Sequence, residues 1–337
     1  MYLDIALESK IGPAEFCELG LLAEKYGFRA IWAQNYARAP DAFMTAVPLA
    51  LASKQIRTGV AVVCPHEMHP LKIANAVLTL NEYAKGRAGV VVTSGGDWTG
   101  VLKTRTGEVA RTREALEIIK TALRDKVAKY DGDFYSAQAF TAQWTTQPPP
   151  PIYAGAHGPK MMHMAAGVAD GIMLSDVQPP MFDRFMPIVN KALAAQGNET
   201  GYPLSNFVAW HVKDDREASL WEARRELIIR GWLDPAWIAP YLSDEDAKWV
   251  AANMWPFLKA FRERTGDIEG VPEHISDALV EGLTMSGDPG DIDRHIERFR
   301  EFEAAGFTEI VLGIQDDPAD SIKMIGEQVL PKICSNA

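Results

Sequence analysis

Cysteine is scarce. The 337-residue chain has three, Cys17, Cys64 and Cys334, scattered and with no C-x-x-C. That excludes a disulfide framework and a thiol-rich metal site, and it suits a reducing compartment. Positive charge is also in deficit. Lys and Arg total 34 against 45 Asp and Glu, a formal net charge of −11. So acidic a chain lacks the basic face that binds nucleic acid or an anionic membrane nonspecifically. No apolar run approaches the roughly 18 residues of a membrane helix. The N-terminal MYLDIALESK lacks the basic-then-apolar pattern of a signal peptide, so a cytoplasmic location is expected. No linker rich in Pro, Gly or Ser, no low-complexity tract and no fixed-period repeat divides the chain. Neither the H-E-x-x-H zinc spacing nor the G-K-[ST] end of a P-loop is found.

Alternation is what the sequence has in quantity. Continuously apolar runs cover 3–7, 28–33, 56–64, 87–94, 151–155, 170–175, 206–212 and 307–313. Helical spacing fills 13–27, 41–53 (with Asp41 as N-cap), 69–86, 112–123, 159–167, 181–197, a long region of about 214–281, 289–306 and 319–333. Strands that are apolar throughout are covered on both faces. Eight such β–α units predict an α/β fold closed as a (β/α)8 TIM barrel rather than an open doubly wound sheet. Residues 1–337 are expected to form a single domain with two insertions. One, at about 125–147, carries KYDGDFYS, with Asp-Gly at a hairpin turn. The other, at about 232–265, is rich in Trp and Pro and is expected to be a helical excursion in the C-terminal half.

A parallel barrel carries its chemistry at the C-terminal ends of its strands. Three stretches there stand out. In VVTSGGDW (91–98), small residues let a planar or phosphorylated ligand approach backbone N–H groups; a solvated Gly-rich loop uses the same residues. In GAHGPKMM (155–162), Gly155 ends a strand and Pro159 suits a first helical turn. The N–H groups that follow, with Lys160, offer positive potential to an anion; a plain β–α corner is the alternative. Met161, Met164, Ala165 and Val168 lie at helical spacing and are expected in the core. In CPHEMHP (64–70), His66 and His69 are not at metal-ligand spacing, and no metal is expected; His66 is a candidate pocket-lining residue. Asp97 and His211 sit at strand ends and have acid–base chemistry, although hydrogen bonding within a loop is the commoner role.

Four segments resemble the bacterial-luciferase-like flavin oxidoreductases. They are LAEKYGFRAIWAQN, ALASKQIRTGVAVVCPHEMHPLKIANAVLTLNEYAKGRAGVVVTSGG, PPIYAGAHGPKMMHMAAGVADGIML and GDPGDIDRHIERFREFEAAGFTEIVL. They span nearly the whole chain in the family's order. GAHGPKMM and DSIKMIGEQV are most similar to the deazaflavin-dependent methylenetetrahydromethanopterin reductase branch. GRAGVVVTSGG resembles FMN-dependent two-component monooxygenases. The resemblance implies a barrel that uses coenzyme F420 or FMN, a small organic substrate and a homodimer. F420-dependent hydride transfer is the first activity it implies. An FMNH2-dependent monooxygenase fed by a separate flavin reductase is the second, and a non-catalytic flavin-binding relative the third.

Carried over by position, the resemblance implies a cis peptide at Ala61–Val62 behind the middle ring of the cofactor. It places Thr93, Ser94 and Gly95 beside the ring and ribityl chain. Gly155, Ala156, His157, Gly158, Pro159, Lys160 and Met161 would hold the ribityl–phosphate portion, with Ser175 near the phosphate. Where relatives carry an acid followed by His after strand two, this chain has Asn35 and Tyr36. Asn does not titrate, and an unperturbed Tyr has a pKa of about 10. Tyr36 is therefore expected to donate a hydrogen bond, or the chemistry needs no proton relay there. Asn35, Tyr36, Asp97 and His66 form the candidate catalytic set. A lysine found after strand six in sugar-phosphate-oxidising relatives is replaced here by Asp176 and Gln178, which disfavours such a substrate.

Overall fold

The structure is a computed structural model describing residues 1–104, 108–125, 127–198 and 200–333. Its strands are β1 (Tyr2–Leu7), β2 (Ala30–Gln34), β3 (Arg57–Val63), β4 (Ala88–Val92), β5 (Ala128–Asp131), β6 (Ser136–Phe140), β7 (Ile152–Gly155), β8 (Gly171–Ser175), β9 (Leu204–Trp210), β10 (Thr284–Met285) and β11 (Glu309–Ile314). Parallel pairing runs β1-β2-β3-β4-β7-β8-β9-β11 and returns to β1, closing an eight-stranded barrel. The short β10 takes the edge of β9 at Ala209 and Trp210, beyond the point where β8 leaves it at Phe207. β5 and β6 form the expected antiparallel hairpin outside the ring, its turn closed by Gly132 N–H to the Tyr135 carbonyl at 3.0 Å.

Alternate residues of each strand face the lumen or the helices. The lumen holds its own buried cluster of Ala6, Ala30, Trp32, Val91, Tyr153, Met173 and Val311, separate from the larger core under the helices. Large rings there oppose glycines. A Cβ on Gly59 would sit 2.4 Å from the Gly89 carbonyl oxygen and 2.7 Å from Trp32 Cζ3. A Cβ on Gly171 would sit 2.6 Å from Tyr153 Cε1. The N-terminal end of the lumen is closed by charge. Arg29 pairs with Asp4 and Glu309. Trp32 Nε1 donates to Asp4 at 3.2 Å, and the Tyr153 hydroxyl donates to Glu309 at 2.9 Å. Each buried acid thus has donors that offset its desolvation.

Helix ends follow local chemistry. Helix 13–26 stops at Gly27, whose φ of 85° suits glycine. Asp41 caps helix 42–52 through Met44 N–H. His69 Nδ1 accepts from Leu71 N–H at 3.2 Å and caps helix 70–83, so its role is structural. Two expectations need correction. The long helical region at 214–281 is broken into helices 216–225, 235–238, 244–252, 254–263 and 273–283, with tight turns at 227–229 and 231–233. Pro235, Pro240 and Pro272 cannot continue a helix. Gly231, Trp232 and Leu233 (φ 54°, 54° and 49°) turn the chain left-handed. The solvated Gly-rich loop weighed for VVTSGGDW extends only to Gly96, because Asp97–Leu102 is a helical turn. Cys17 and Cys64 are free thiols; Cys334 lies outside the described residues. Among the described residues no helix is long and apolar enough to cross a membrane.

Candidate active site

The C-terminal mouth begins at an irregularity in β3. The Ala61–Val62 peptide is cis, as the family pattern implied. The ladder to β4 pairs Ala61 with Val91 and then Val63 with Val92, so Val62 is skipped. Ala61 and Val62 pack on the lumen cluster and form an apolar wall. Asn35, just past β2, is committed to this wall. Its Nδ2 donates to the Val62 carbonyl at 3.1 Å and to Glu67 Oε1 at 2.9 Å. Glu67 Oε1 also accepts from Cys64 N–H at 2.6 Å. Burial raises the Glu67 pKa, against the hydrogen bonds from Cys64 and Asn35. Gln34 occupies the lumen side one position earlier, paired in register with Ala61, and its Nε2 is buried without a partner.

Tyr36 faces the charged groups of the mouth. Burial pushes its hydroxyl pKa up to about 12; Arg230 opposes the shift, while Glu226, Asp97 and Asp176 reinforce it. The hydroxyl therefore keeps its proton at neutral pH and is a donor, not a base. Asp97 Oδ2 accepts from Ala37 N–H at 2.9 Å, which ties the β4 loop to the segment after Tyr36. His66 sits apart from these groups. Burial and the Arg111 charge lower its pKa, with Glu108 opposing, so its electrostatic neighbours lie at the start of helix 109–124 rather than at Asn35 or Tyr36.

The second wall comes from β4, β7 and β8. Thr93 Oγ1 donates to the Gly95 carbonyl. Its methyl group covers Gly155, where a Cβ would lie 2.3 Å away. Ser94 has no side-chain partner among the described residues. Helix 159–168 begins at Gly158 with Pro159 in its first turn and no side-chain cap. The first-turn N–H groups of Lys160 and Met161 are thus left open, as at any uncapped helix start, and Lys160 is exposed. Ala156 is buried and donates to the Met173 carbonyl at 3.1 Å. Met161, Met164 and Ala165 are buried as expected. His157 Nε2 accepts from Ser175 N–H at 3.0 Å, and its ring stands edge-on to Trp237 at 5.5 Å. Desolvation holds its pKa below the usual imidazole value, with Asp176 opposing. The Ser175 hydroxyl donates to Asp176 at 3.0 Å.

Sequence reasoning placed Asp176 and His211 at strand ends but missed Arg225, Arg230 and Arg264, which fasten the insertion over this mouth. Arg230 pairs with Asp176 at 2.8 Å, both about 3% exposed, and Gly231 N–H donates to the same carboxylate at 3.1 Å. Arg264 pairs with Glu8 at 2.6 Å and with Asp316 at 2.9 Å. Arg225 pairs with Glu226 and Asp316. His211 belongs to this framework, with Nδ1 2.6 Å from Glu222. Burial opposes ionisation of Glu222, but His211 and Lys213 prevail and its pKa lies below the ordinary carboxyl value. Only the charged residues around 213–232 could have signalled these anchors, and nothing local in the sequence names their partners.

The mouth combines an apolar wall at Ala61–Val62, an orphaned donor at Gln34 and an uncapped helix start at Gly158. That donor set fits a flat, hydrogen-bonding ring with an anionic tail. Comparisons with known proteins agree with the architecture. The solved coenzyme F420-dependent tetrahydromethanopterin reductase from Methanopyrus kandleri superposes with a TM-score of 0.83 over 99% of both chains at 20% identity. The oxygenating constituent of 3,6-diketocamphane monooxygenase from Pseudomonas putida, in complex with FMN, superposes with a TM-score of 0.68 over 99% of both chains at 14% identity. In sequence, the chain is 31% identical over 320 residues to 5,10-methylenetetrahydromethanopterin reductase of Archaeoglobus fulgidus, covering 93% of each. The family model described as luciferase-like monooxygenase matches residues 4–309, and the chain belongs to that family.

Proposed function

We propose that the chain is an oxidoreductase that transfers hydride between coenzyme F420 and a small organic substrate. The observation that carries this reading is the pairing, on one mouth, of the Ala61–Val62 wall with the uncapped helix start at Gly158. The 31% identity to a methylenetetrahydromethanopterin reductase supports the deazaflavin branch. The bound cofactor supplies the redox chemistry. Ala61, Val62, Thr93, Ser94 and Gly95 bind the ring side, and Gly155 to Met161 with Ser175 bind the tail. Tyr36 holds a proton at its hydroxyl and orients the substrate through a hydrogen bond. Asp97 fixes the segment that carries Tyr36. The insertion excludes water.

The mouth cations Arg225, Arg230 and Arg264 are all matched by carboxylates. This favours an uncharged organic substrate over a sugar phosphate. A homodimer is supported by helix 42–52, which leaves Met44 and Leu51 exposed at 68% and 63%, two turns apart on one face. The second reading, an FMNH2-dependent monooxygenase served by a separate flavin reductase, is favoured by the TSGG turn after β4. Titration of the purified protein with each cofactor, followed by fluorescence and absorbance, separates the two. Tight F420 binding without FMN binding is the expected result. The reverse would sink the deazaflavin assignment.

A further inference from the structure

The side-chain NH2 group of Asn35 is fully committed. One Nδ2 group serves two acceptors, the Val62 carbonyl and Glu67 Oε1. The Val62 carbonyl needs such a donor, because the β3–β4 ladder skips that residue. Glu67 is fixed in turn by Cys64 N–H, and Tyr135 holds the same loop by donating to the Pro65 carbonyl at 2.9 Å. An acid at position 35 would set a carboxylate against a carbonyl and a second carboxylate with no proton to share. The residue types at 35 and 67 are therefore a matched choice: a carboxylate at 67 demands a donor at 35.

The geometry points to Asn35 and Glu67 as a coupled positioning pair that fixes the Val62 backbone as the surface against which the cofactor ring lies. This rests on the reading above that a flavin-type ring binds at this mouth. The pair acts through Val62, and neither residue is assigned a proton-transfer role. When ionised, Glu67 also places a negative charge beside the wall. A carboxylate there disfavours the electron density that a ring gains on reduction.

The test measures F420 binding by fluorescence, the midpoint potential of the bound cofactor at pH 8, and the melting temperature of the cofactor-free protein. In Glu67→Gln the side-chain oxygen still accepts from Asn35 and Cys64. Its Kd should stay within about twofold of wild type while the bound cofactor's potential becomes more positive. Asn35→Leu should weaken binding about tenfold. Asn35→Asp should weaken it similarly, and Asn35→Asp with Glu67→Gln should recover only part of the loss, since a glutamine amide can donate to the new carboxylate but the Val62 carbonyl still lacks its donor. Wild-type affinity in Asn35→Leu or Asn35→Asp would overturn the pairing, and an unchanged potential in Glu67→Gln would overturn the charge effect of Glu67. If Asn35→Leu does not fold, the affinity of Asn35→Asp decides. Failure of the wild-type protein to bind either F420 or FMN would instead remove the cofactor reading itself.

Discussion

The Arg230–Asp176 contact fastens one end of the insertion, and cutting it should open the mouth. Both side chains are 4% exposed and lie 2.8 Å apart. Removing one member of a buried pair leaves the other charge stranded, which costs about 3–5 kcal/mol. In Arg230→Met the stranded group is Asp176, which keeps donors from Gly231 N–H and the Ser175 hydroxyl. Its cost belongs near the lower figure, about 3 kcal/mol. At about 1.4 kcal/mol per tenfold, the open population of the insertion rises about 100-fold. Asp176→Asn strands Arg230, whose Nε already lacks a partner. Asn does suit the left-handed backbone there, at φ 57°. The double variant strands no charge and should cost less than the two single changes summed. Native-state proteolysis tracks an open population when opening is fast, so cleavage at Lys248, Lys259 and Arg262 should accelerate by that factor in Arg230→Met. Wild-type cleavage rates in both single variants, or strict additivity in the double, would refute the anchor.

Two other expectations are simpler to measure. His295 is buried, and burial with the Arg298 charge pushes its pKa down to about 4, while its Nε2 contacts the Ser286 carbonyl. The unfolded imidazole titrates near 6.5 and binds the proton first, so stability is lost as pH falls from about 6.5 through 4, by ~3 kcal/mol. His295→Gln should flatten the denaturation midpoint over that window relative to wild type, and parallel curves would show that His295 is not the group responsible. Lys160 is exposed, with no side-chain partner among the described residues. Lys160→Ala should weaken cofactor affinity about tenfold, as loss of one charge-assisted contact does, without moving the melting temperature. Unchanged affinity would take the cofactor tail away from that helix start.

The barrel was legible because its signals are local. Apolar runs, Gly27 and Asp41 are each read within a few residues, and the strands they predict overlap β1 to β4, β7 to β9 and β11. The mouth was legible only as a set of positions. Thr93, Gly155 and Ser175 were placed at strand ends correctly, but side-chain commitments came from across the fold. Asn35 reaches Val62 on the neighbouring strand and Glu67 in the loop after it, so its chemistry as a free group could not be judged from Asn35–Tyr36 alone. The insertion anchors join Asp176 to Arg230 over 54 residues and Glu8 to Arg264 over 256. Periodicity carries no information at those separations. The broken helix was misjudged for a related reason. Local spacing does not reveal the left-handed turn at Gly231–Leu233, which is tied through Gly231 N–H to Asp176 just past β8.

The charge cluster of Arg29, Asp4 and Glu309, capped by Trp32 and Tyr153, gives the lumen a floor with no exit. Everything that reaches the mouth must leave by the same doorway, beneath an insertion fastened at both ends. Under the proposed function, a cofactor seated against the deeper wall and a substrate that meets it from above cannot exchange independently. The cofactor then enters first and leaves last, so steady-state kinetics should be ordered, with the departing form of the cofactor competitive against the entering form and the substrate-derived product competitive against neither reactant.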